Sequence, residues 1–221
     1  MIRIFVVIIV LGGAAAFILY QLSNFLLGTR SVKRQLERDA DFFDAVLEEL
    51  KEGLVEVDHD ELKIMSVTPL SKSVNQGITT YEKGVIPTIY QEPLVAYTLK
   101  MYDNNNKLLT MLRTSEETYS ILSEADTFKV FKKNKQIGTI NEDYEFSIID
   151  NGSSISATKE GSKLLRIDLN DEELAHMNLR DESGKFDTDR VFSLFHNIKK
   201  GYEEGLMLLA IFHILIKPKL T

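Results

Sequence analysis

The side chains that could do chemistry in this sequence are its histidines, its acidic clusters and one lysine-rich hairpin. The four histidines are far apart in sequence: His59, His176, His196 and His213. Scattered single histidines are usually structural, and the sequence has no nucleotide-binding glycine loop, nucleophile elbow or zinc-binding motif. We therefore predict no catalytic residue, no metal site and no cofactor. His213 is expected to be a buried, neutral imidazole with one hydrogen-bond partner.

Two acidic clusters contain the oxygen ligands that calcium prefers. They are EVDHDE, residues 56–61, and DESGKFDTD, residues 181–189. Neither fits the helix–loop–helix calcium pattern, because Gly184 lies at the wrong offset from Asp181 and the bidentate glutamate is missing. We expect both clusters to be solvated acidic loops.

The segment FKVFKKNKQ places four lysines on one predicted hairpin, at Lys129, Lys132, Lys133 and Lys135. If Phe128 and Val130 face the core, Lys129 and Lys133 share the outer face and Lys135 lies at the turn. Such a patch is a candidate contact for anionic lipid headgroups, at about 1 kcal/mol per lysine near the surface. The alternative is an ordinary charged hairpin that resists edge-to-edge aggregation.

Composition excludes several classes of function. The 221 residues include no cysteine, which rules out disulfides, thiolate metal sites, cysteine nucleophiles and palmitoylation. The formal net charge is −7, and an acidic protein lacks the basic face that nucleic-acid binding needs. We therefore expect no nucleic-acid partner.

The N-terminal segment is predicted to span a membrane. Residues 4–27 carry no charge, and a helix of that length is about 36 Å long, enough to cross a hydrocarbon core of about 30 Å. A cleaved signal peptide ending near residues 14–16 is the alternative, but the apolar run continues beyond that point. Residues 1–29 are therefore predicted to be an uncleaved transmembrane helix.

Orientation follows from the basic residues that flank the apolar segment. Arg3 precedes it, whereas four basic residues follow it: Arg30, Lys33, Arg34 and Arg38. The positive-inside bias predicts a single-pass protein of the cell membrane, with the large C-terminal part in the cytoplasm.

Residues 30–54 are predicted to form an amphipathic helical stalk. Apolar residues recur at spacings of 4 and 3, and the resulting a/d stripe includes Leu36, Phe43, Leu47 and Leu50. This stripe could form a weak homodimer through a short coiled coil, or the helix could lie on its own domain. The segment contains fewer than three heptads, which is too few to distinguish a coiled-coil dimer from a helix packed on its own domain.

From residue 62 to residue 190 the apolar residues alternate, and polar turns interrupt them at short intervals. NNNK at 104–107 and the Asn151-Gly152 pair are hairpin turn signals. This pattern predicts roughly eight to twelve short antiparallel strands, typical of a sandwich or a barrel.

The terminal run EEGLMLLAIFHILI, residues 203–216, is apolar on every helical face except at His213. A helix of that kind is buried, and at about 21 Å it is too short to cross a bilayer. Pro218 ends the helix. We therefore predict a closed barrel wrapped around this helix, with an extra strand as the alternative.

The segments AYTLKMYDNNNKLLTMLRT and TFKVFKKNKQIGTINEDYEFSIID, with the terminal helix, resemble the tubby C-terminal-like superfamily of tubby proteins, LURP-one-related proteins and phospholipid scramblases. The resemblance covers about residues 60–217 and implies a closed barrel of about twelve strands in a domain at 55–221. It transfers no functional residue, because the acidic domain lacks the basic pocket that tubby proteins use. The chain also lacks the cysteine-rich, proline-rich and C-terminal anchor segments of scramblases.

These patterns favour a membrane-anchored, non-catalytic binding or scaffold module that acts at the inner membrane surface. A scramblase-like protein that moves or modifies lipids is the alternative. An enzyme with an unrecognised site is a third, and it would need convergent ionisable groups in a pocket.

Overall fold

The computed structural model describes residues 34–76, 79–102, 107–124, 126–149, 152–170, 172–180, 186, 188–195 and 202–220. Two compact units are present, one of residues 1–42 and one of residues 43–221. The predicted transmembrane helix at 4–27 lies outside the described residues. Within the part of the chain that is described, no helix is both long enough and apolar enough to cross a membrane.

The predicted stalk helix, α1, is described from 34 to 48. It ends six residues before the predicted stalk boundary at 54, because the chain tightens into a 3₁₀ turn at Lys51–Gly53. A short helix, α2, then follows at His59–Lys63. The side chain of Asp58 accepts hydrogen bonds from the backbone N–H groups of Asp60 and Glu61, at 2.8 and 3.0 Å, and so caps α2. The acidic cluster at 56–61 is therefore partly helical, where a loop was expected.

Twelve antiparallel strands form one sheet in which each strand pairs with its neighbours in sequence. The strands are β1 Leu70–Gln76, β2 Thr79–Pro87, β3 Pro93–Tyr102, β4 Lys107–Arg113, β5 Thr118–Glu124, β6 Thr127–Lys132, β7 Lys135–Asn141, β8 Phe146–Ile148, β9 Ser154–Glu160, β10 Leu164–Leu169, β11 Glu172–Asn178 and β12 Phe192–Phe195. The prediction of a mainly β fold built from consecutive hairpins is confirmed.

The sheet is not closed, so the predicted closed barrel is only partly shown. Among the described residues, β1 and β12 end the strand order and do not pair with each other. One isolated bridge joins Ser66 to Arg190. The N–H of Val67 donates to the carbonyl of Asp189 at 3.0 Å, and the described residues show no ladder that continues from this bridge. Among the described residues, the edge of β1 from Leu70 onward therefore has no strand paired with it.

The terminal apolar run is helical, as predicted. It forms α3 at Glu203–Ile211, a π-helical turn at Phe212–Ile216 and a 3₁₀ turn at Lys217–Lys219. Every residue from 205 to 216 is buried. The Phe212 ring lies 4.9 Å from that of Phe128 on β6, so the helix packs in the core against the sheet.

The last residues of α1, from 43 to 48, belong to the larger unit and pack against its sheet. Phe43 and Leu47 are fully buried, and the Phe43 ring lies 5.1 Å from that of Tyr81 on β2. Arg113 on β4 forms an ion pair with Glu48. One copy of the chain thus buries two residues of the predicted dimer stripe, which favours the alternative of a helix lying on its own domain. The homodimer stays a prediction.

Candidate binding cavity at the N-terminal end of the buried helix

A cavity of about 570 Å³ opens where α3 begins. Three parts of the chain form its walls: the segment that leads into α2, the β4–β5 turn with β5 and β6, and the first turns of α3. Its lining residues are Glu56, Val57, Asp58, His59, Asp60, Thr114, Ser115, Glu116, Glu117, Tyr119, Lys132, Glu203, Glu204 and Met207. We call it the acidic cavity.

Local hydrogen bonds hold two of these walls in place. In the β4–β5 turn the N–H of Thr114 donates to the carbonyl of Glu117, and the N–H of Glu117 donates to the hydroxyl of Thr114, both at 2.9 Å. This reciprocal pair is a turn motif that threonine favours. It fixes Ser115 and Glu116 at the cavity rim, while the cap made by Asp58 fixes the opposite wall.

The charge of the acidic cavity is strongly unbalanced. Of the described residues that line it, seven are carboxylates and one is a lysine, Lys132. Glu56 and Glu116 are exposed and form no ion pair within the described part of the chain. A cleft lined by one sign of charge concentrates ions of the opposite sign, so this cavity attracts cations.

Lys132 shows how an ammonium group is held there. Its Nζ lies 2.9 Å from a carboxylate oxygen of Glu204 and 3.7 Å from one of Glu117, and 5.6 Å from the centre of the Tyr119 ring. Burial alone would lower the pKa of Lys132, but its pairing with Glu204 and Glu117 raises it. The site therefore stabilises a positive charge against two carboxylates and an aromatic face.

The carboxylate of Glu117 is held in its ionised form. Lys133 lies 2.7 Å from it, and this contact, more than the nearby charge of Lys132, lowers the pKa of Glu117 below its usual value. An ionised carboxylate accepts hydrogen bonds and cannot act as a general acid. At this residue the geometry favours binding over proton donation.

The structure places the four candidate lipid-binding lysines differently from one another. Phe128 and Val130 are buried, as predicted, and Lys129 lies on the opposite face, where it forms an ion pair with Glu124. Lys132 reaches into the acidic cavity and Lys133 pairs beside it, so these two charges already have carboxylate partners. The contact with anionic lipid stays a prediction.

The turn of this hairpin is shifted from its predicted position. Lys132 pairs with Lys135, so the two turn residues are Lys133 and Asn134, with φ angles of 46° and 68°. Lys135 therefore begins β7 and does not lie at the turn. Two consecutive positive φ angles are typical of the tight hairpin turns that match the twist of a sheet.

His213 is buried and neutral, as predicted, but it has two partners. Its Nε2 lies 2.9 Å from the carbonyl of Asn178 and its Nδ1 lies 3.0 Å from the hydroxyl of Tyr144. Because a carbonyl only accepts, Nε2–H donates to Asn178 and Nδ1 accepts from Tyr144. Burial lowers the pKa of His213 to about 4.

The other histidines do not converge with it. His59 lines the acidic cavity, His176 on β11 lies 3.5 Å from carboxylate oxygens of Glu160 and Glu173, and His196 lies outside the described residues. In the described ranges no three histidine, aspartate or glutamate side chains gather closely enough to hold a metal ion. The carboxylates of the acidic cavity are therefore spread around its walls, which suits an extended cation.

Sequence reasoning missed the acidic cavity. The adjacent glutamates at 116–117 and 203–204 were a signal, since the first pair interrupts the alternating apolar pattern and the second begins the predicted helix. Nothing local indicates that these two pairs meet. Their proximity depends on which end of the sheet receives the start of α3.

Comparison with known proteins finds no matching family model, no matching curated protein and no matching solved structure. The resemblance to the tubby C-terminal-like superfamily stays a prediction.

Proposed function

We propose that this chain is a membrane-held, non-catalytic binding module whose acidic cavity receives a cationic segment of a partner protein. The observation that carries the proposal is the charge of the cavity: seven carboxylates and one lysine line a space of about 570 Å³. A cavity of this size accepts one or two long side chains.

The walls suit lysine or arginine side chains. Such side chains bury an apolar stem while the charged head keeps polar partners. Val57, Tyr119 and Met207 provide apolar surface for the stem, and the surrounding carboxylates provide acceptors for the head. Lys132 already occupies one such position against Glu204, and Glu56 and Glu116 remain available for cations from a partner.

The membrane part of the proposal is supported by the sequence. Residues 4–27 lack any charge and four basic residues follow them, which favours a single-pass anchor with the domain in the cytoplasm. Protease added to intact cells should then spare the domain and digest it only after lysis. Digestion in intact cells would reverse the proposed orientation.

The finer fold proposal is a tubby-like arrangement in which the twelve-stranded sheet surrounds α3 without closing. Twelve strands in consecutive order and a buried C-terminal helix support it. The lipid-moving alternative receives less support, because the carboxylates of the acidic cavity repel anionic headgroups. A scaffold that binds a basic protein segment at the inner membrane surface is favoured instead.

The test is the affinity of a fluorescein-labelled hexalysine peptide for the full-length chain in detergent, measured by fluorescence anisotropy. Replacing Glu56 and Glu116 together by glutamine should weaken binding about fivefold, since an exposed charge pair contributes up to about 1 kcal/mol. Added salt should weaken binding further. Glu160→Gln/Glu172→Gln is the matched control, because both are exposed glutamates, on β9 and β11, outside the cavity.

The proposal predicts that hexalysine binds and that hexaglutamate does not. Equal affinity of the wild type and the Glu56→Gln/Glu116→Gln variant would contradict it. An equal loss in the Glu160→Gln/Glu172→Gln control would also contradict it, because the peptide would then be sensing total charge and not the cavity.

A further inference from the structure

The free edge of β1 is a second surface whose chemistry is unexplained. In the described part of the chain β1 pairs with β2 alone, in a register from Leu70↔Val85 to Gln76↔Thr79. Every second residue along its other side therefore presents its backbone N–H and C=O outward. Unpaired edges of this kind are templates for a further strand.

An apolar groove lies over one face of the β1–β2 pair, next to this edge. Its volume is about 570 Å³, and its lining residues are Leu50, Pro69, Leu70, Ser71, Lys72, Lys83, Gly84 and Val85. Leu70 leaves 49 % of its surface exposed in the groove. We call it the edge groove.

Two lysines face each other in the edge groove. Lys72 on β1 is the register partner of Lys83 on β2, and neither forms an ion pair within the described residues. Like charges directly opposite each other on paired strands are destabilising. The protein as a whole is acidic, so this basic pair is a local exception. An acidic group from a partner would relieve the repulsion between the two lysines.

We propose that the free edge of β1 binds an extended segment of a partner protein that carries an apolar residue two positions from an acidic one. Leu70 and Lys72 lie two residues apart and so point to the same face of the sheet. On an added strand, residues two apart would lie beside them. One would insert an apolar side chain next to Leu70, and the other would pair a carboxylate with Lys72.

This interaction goes beyond the proposed function, because it uses a separate surface of opposite charge. A second copy of the chain is a poor occupant, since pairing two β1 edges would bring two Lys72 side chains together. An acidic peptide also satisfies the backbone groups of the edge, which a lipid headgroup leaves unpaired.

The probe is a labelled threonine peptide of nine residues that carries leucine at its centre and glutamate two residues to either side, so that it can bind in either direction. We expect it to bind the full-length chain in detergent. A peptide in which both glutamates are replaced by lysine should bind about fivefold more weakly. A version N-methylated on alternate residues, which cannot form the edge hydrogen bonds, should not bind.

Charge reversal on the protein gives the reciprocal test. Lys72→Glu should reverse the preference, so that the lysine peptide binds more tightly than the glutamate peptide. Lys159→Glu is the matched control, since Lys159 is an exposed lysine on β9, which pairs with β8 and β10 and not with β1. It should change neither affinity by more than about twofold.

Several results would overturn the proposal. They are no binding of the glutamate peptide, equal binding of the N-methylated peptide, or an unchanged preference in Lys72→Glu. If analytical sedimentation showed a dimer and Lys72→Glu disrupted it, the edge would be assigned to a second copy of the chain. If the protein sedimented with anionic vesicles and Lys72→Glu abolished this binding, the edge would be assigned to lipid.

Discussion

The Nζ of Lys132 lies 2.9 Å from a carboxylate oxygen of Glu204, and this ion pair joins the β6–β7 hairpin to the first turn of α3. The pair crosses the acidic cavity, so the hairpin lysine neutralises part of the cavity and does not point away from the protein. A charge that looks like a surface feature in the sequence is thus part of the proposed binding site.

Removing the lysine of the acidic cavity should make it a stronger cation site. Lys132→Met keeps the apolar stem but leaves Glu204 without its ammonium partner, so hexalysine affinity should rise about fivefold. The free energy of unfolding should fall by only about 1 kcal/mol, because the pair is partly exposed. Lys129→Met is the control, since Lys129 pairs with Glu124 outside the cavity. Weaker binding by Lys132→Met would contradict the proposed site.

The buried helix should tolerate no charge at its centre. Leu209 is fully buried, so Leu209→Asp should cost several kcal/mol and unfold the domain. Thermal denaturation followed by circular dichroism tests this. Ile149→Asp introduces the same group at a side chain that is 55 % exposed, and it should leave the melting temperature nearly unchanged. A cooperative transition in Leu209→Asp at the wild-type temperature would show that α3 is not the core.

The pairing of β1 with β2 depends on a glycine. A β-carbon on Gly84 would overlap the backbone carbonyl oxygen of Leu70, so Gly84→Ala should force the two strands apart. We expect a loss of about 2 kcal/mol, typical of overpacking, and faster amide hydrogen exchange along β1. Gly53→Ala is the control, because a β-carbon there would meet nothing within 4 Å. Equal stability of the two variants would show that the strands are not held this close.

Stability should fall in mild acid because of His213. Its pKa is about 4 in the folded state and about 6.5 in the unfolded state, so the unfolded chain binds more protons between these pH values. The stabilising contribution is therefore complete above about pH 6.5 and is lost as pH falls toward 4. It amounts to about 3 kcal/mol, from 1.36 kcal/mol per pKa unit. Urea denaturation at several pH values measures this.

The matched variant for that titration is His213→Gln. It should be less stable at neutral pH, because it disturbs the contacts with Tyr144 and Asn178, but its stability should depend less on pH between 6.5 and 4. If the two proteins show the same pH slope, the dependence comes from other groups, and His213 is not buried in the neutral form.

Local patterns in the sequence predicted the parts of the fold that local physics determines. The all-round apolar run at 203–216 predicted a buried helix, and alternation with polar turns predicted the hairpins. The β6–β7 turn was misplaced because Lys133 adopts a positive φ, which a lysine side chain seldom favours. Sequence periodicity indicates the strands but does not specify their register.

Contacts between segments far apart in the sequence could not be predicted. Glu56, Glu116, Lys132 and Glu204 meet in one cavity only because the strand order brings their four segments to the same end of the sheet. Closure of the sheet was also expected, whereas the described residues join its two ends only by the bridge between Ser66 and Arg190. Which edges meet depends on the summed twist of many strands, and no single segment encodes it.

The most direct test of the central claim locates the cationic ligand in the acidic cavity. The chain has no cysteine, so Val57→Cys introduces a unique thiol at a half-buried residue that lines the cavity, and Ser156→Cys introduces one at an exposed position on β9. The rate at which a neutral maleimide modifies each thiol is measured with and without hexalysine. We expect hexalysine to slow modification at position 57 but not at position 156, and hexaglutamate to slow neither. An unchanged rate at position 57 in the presence of bound hexalysine would show that the peptide binds elsewhere.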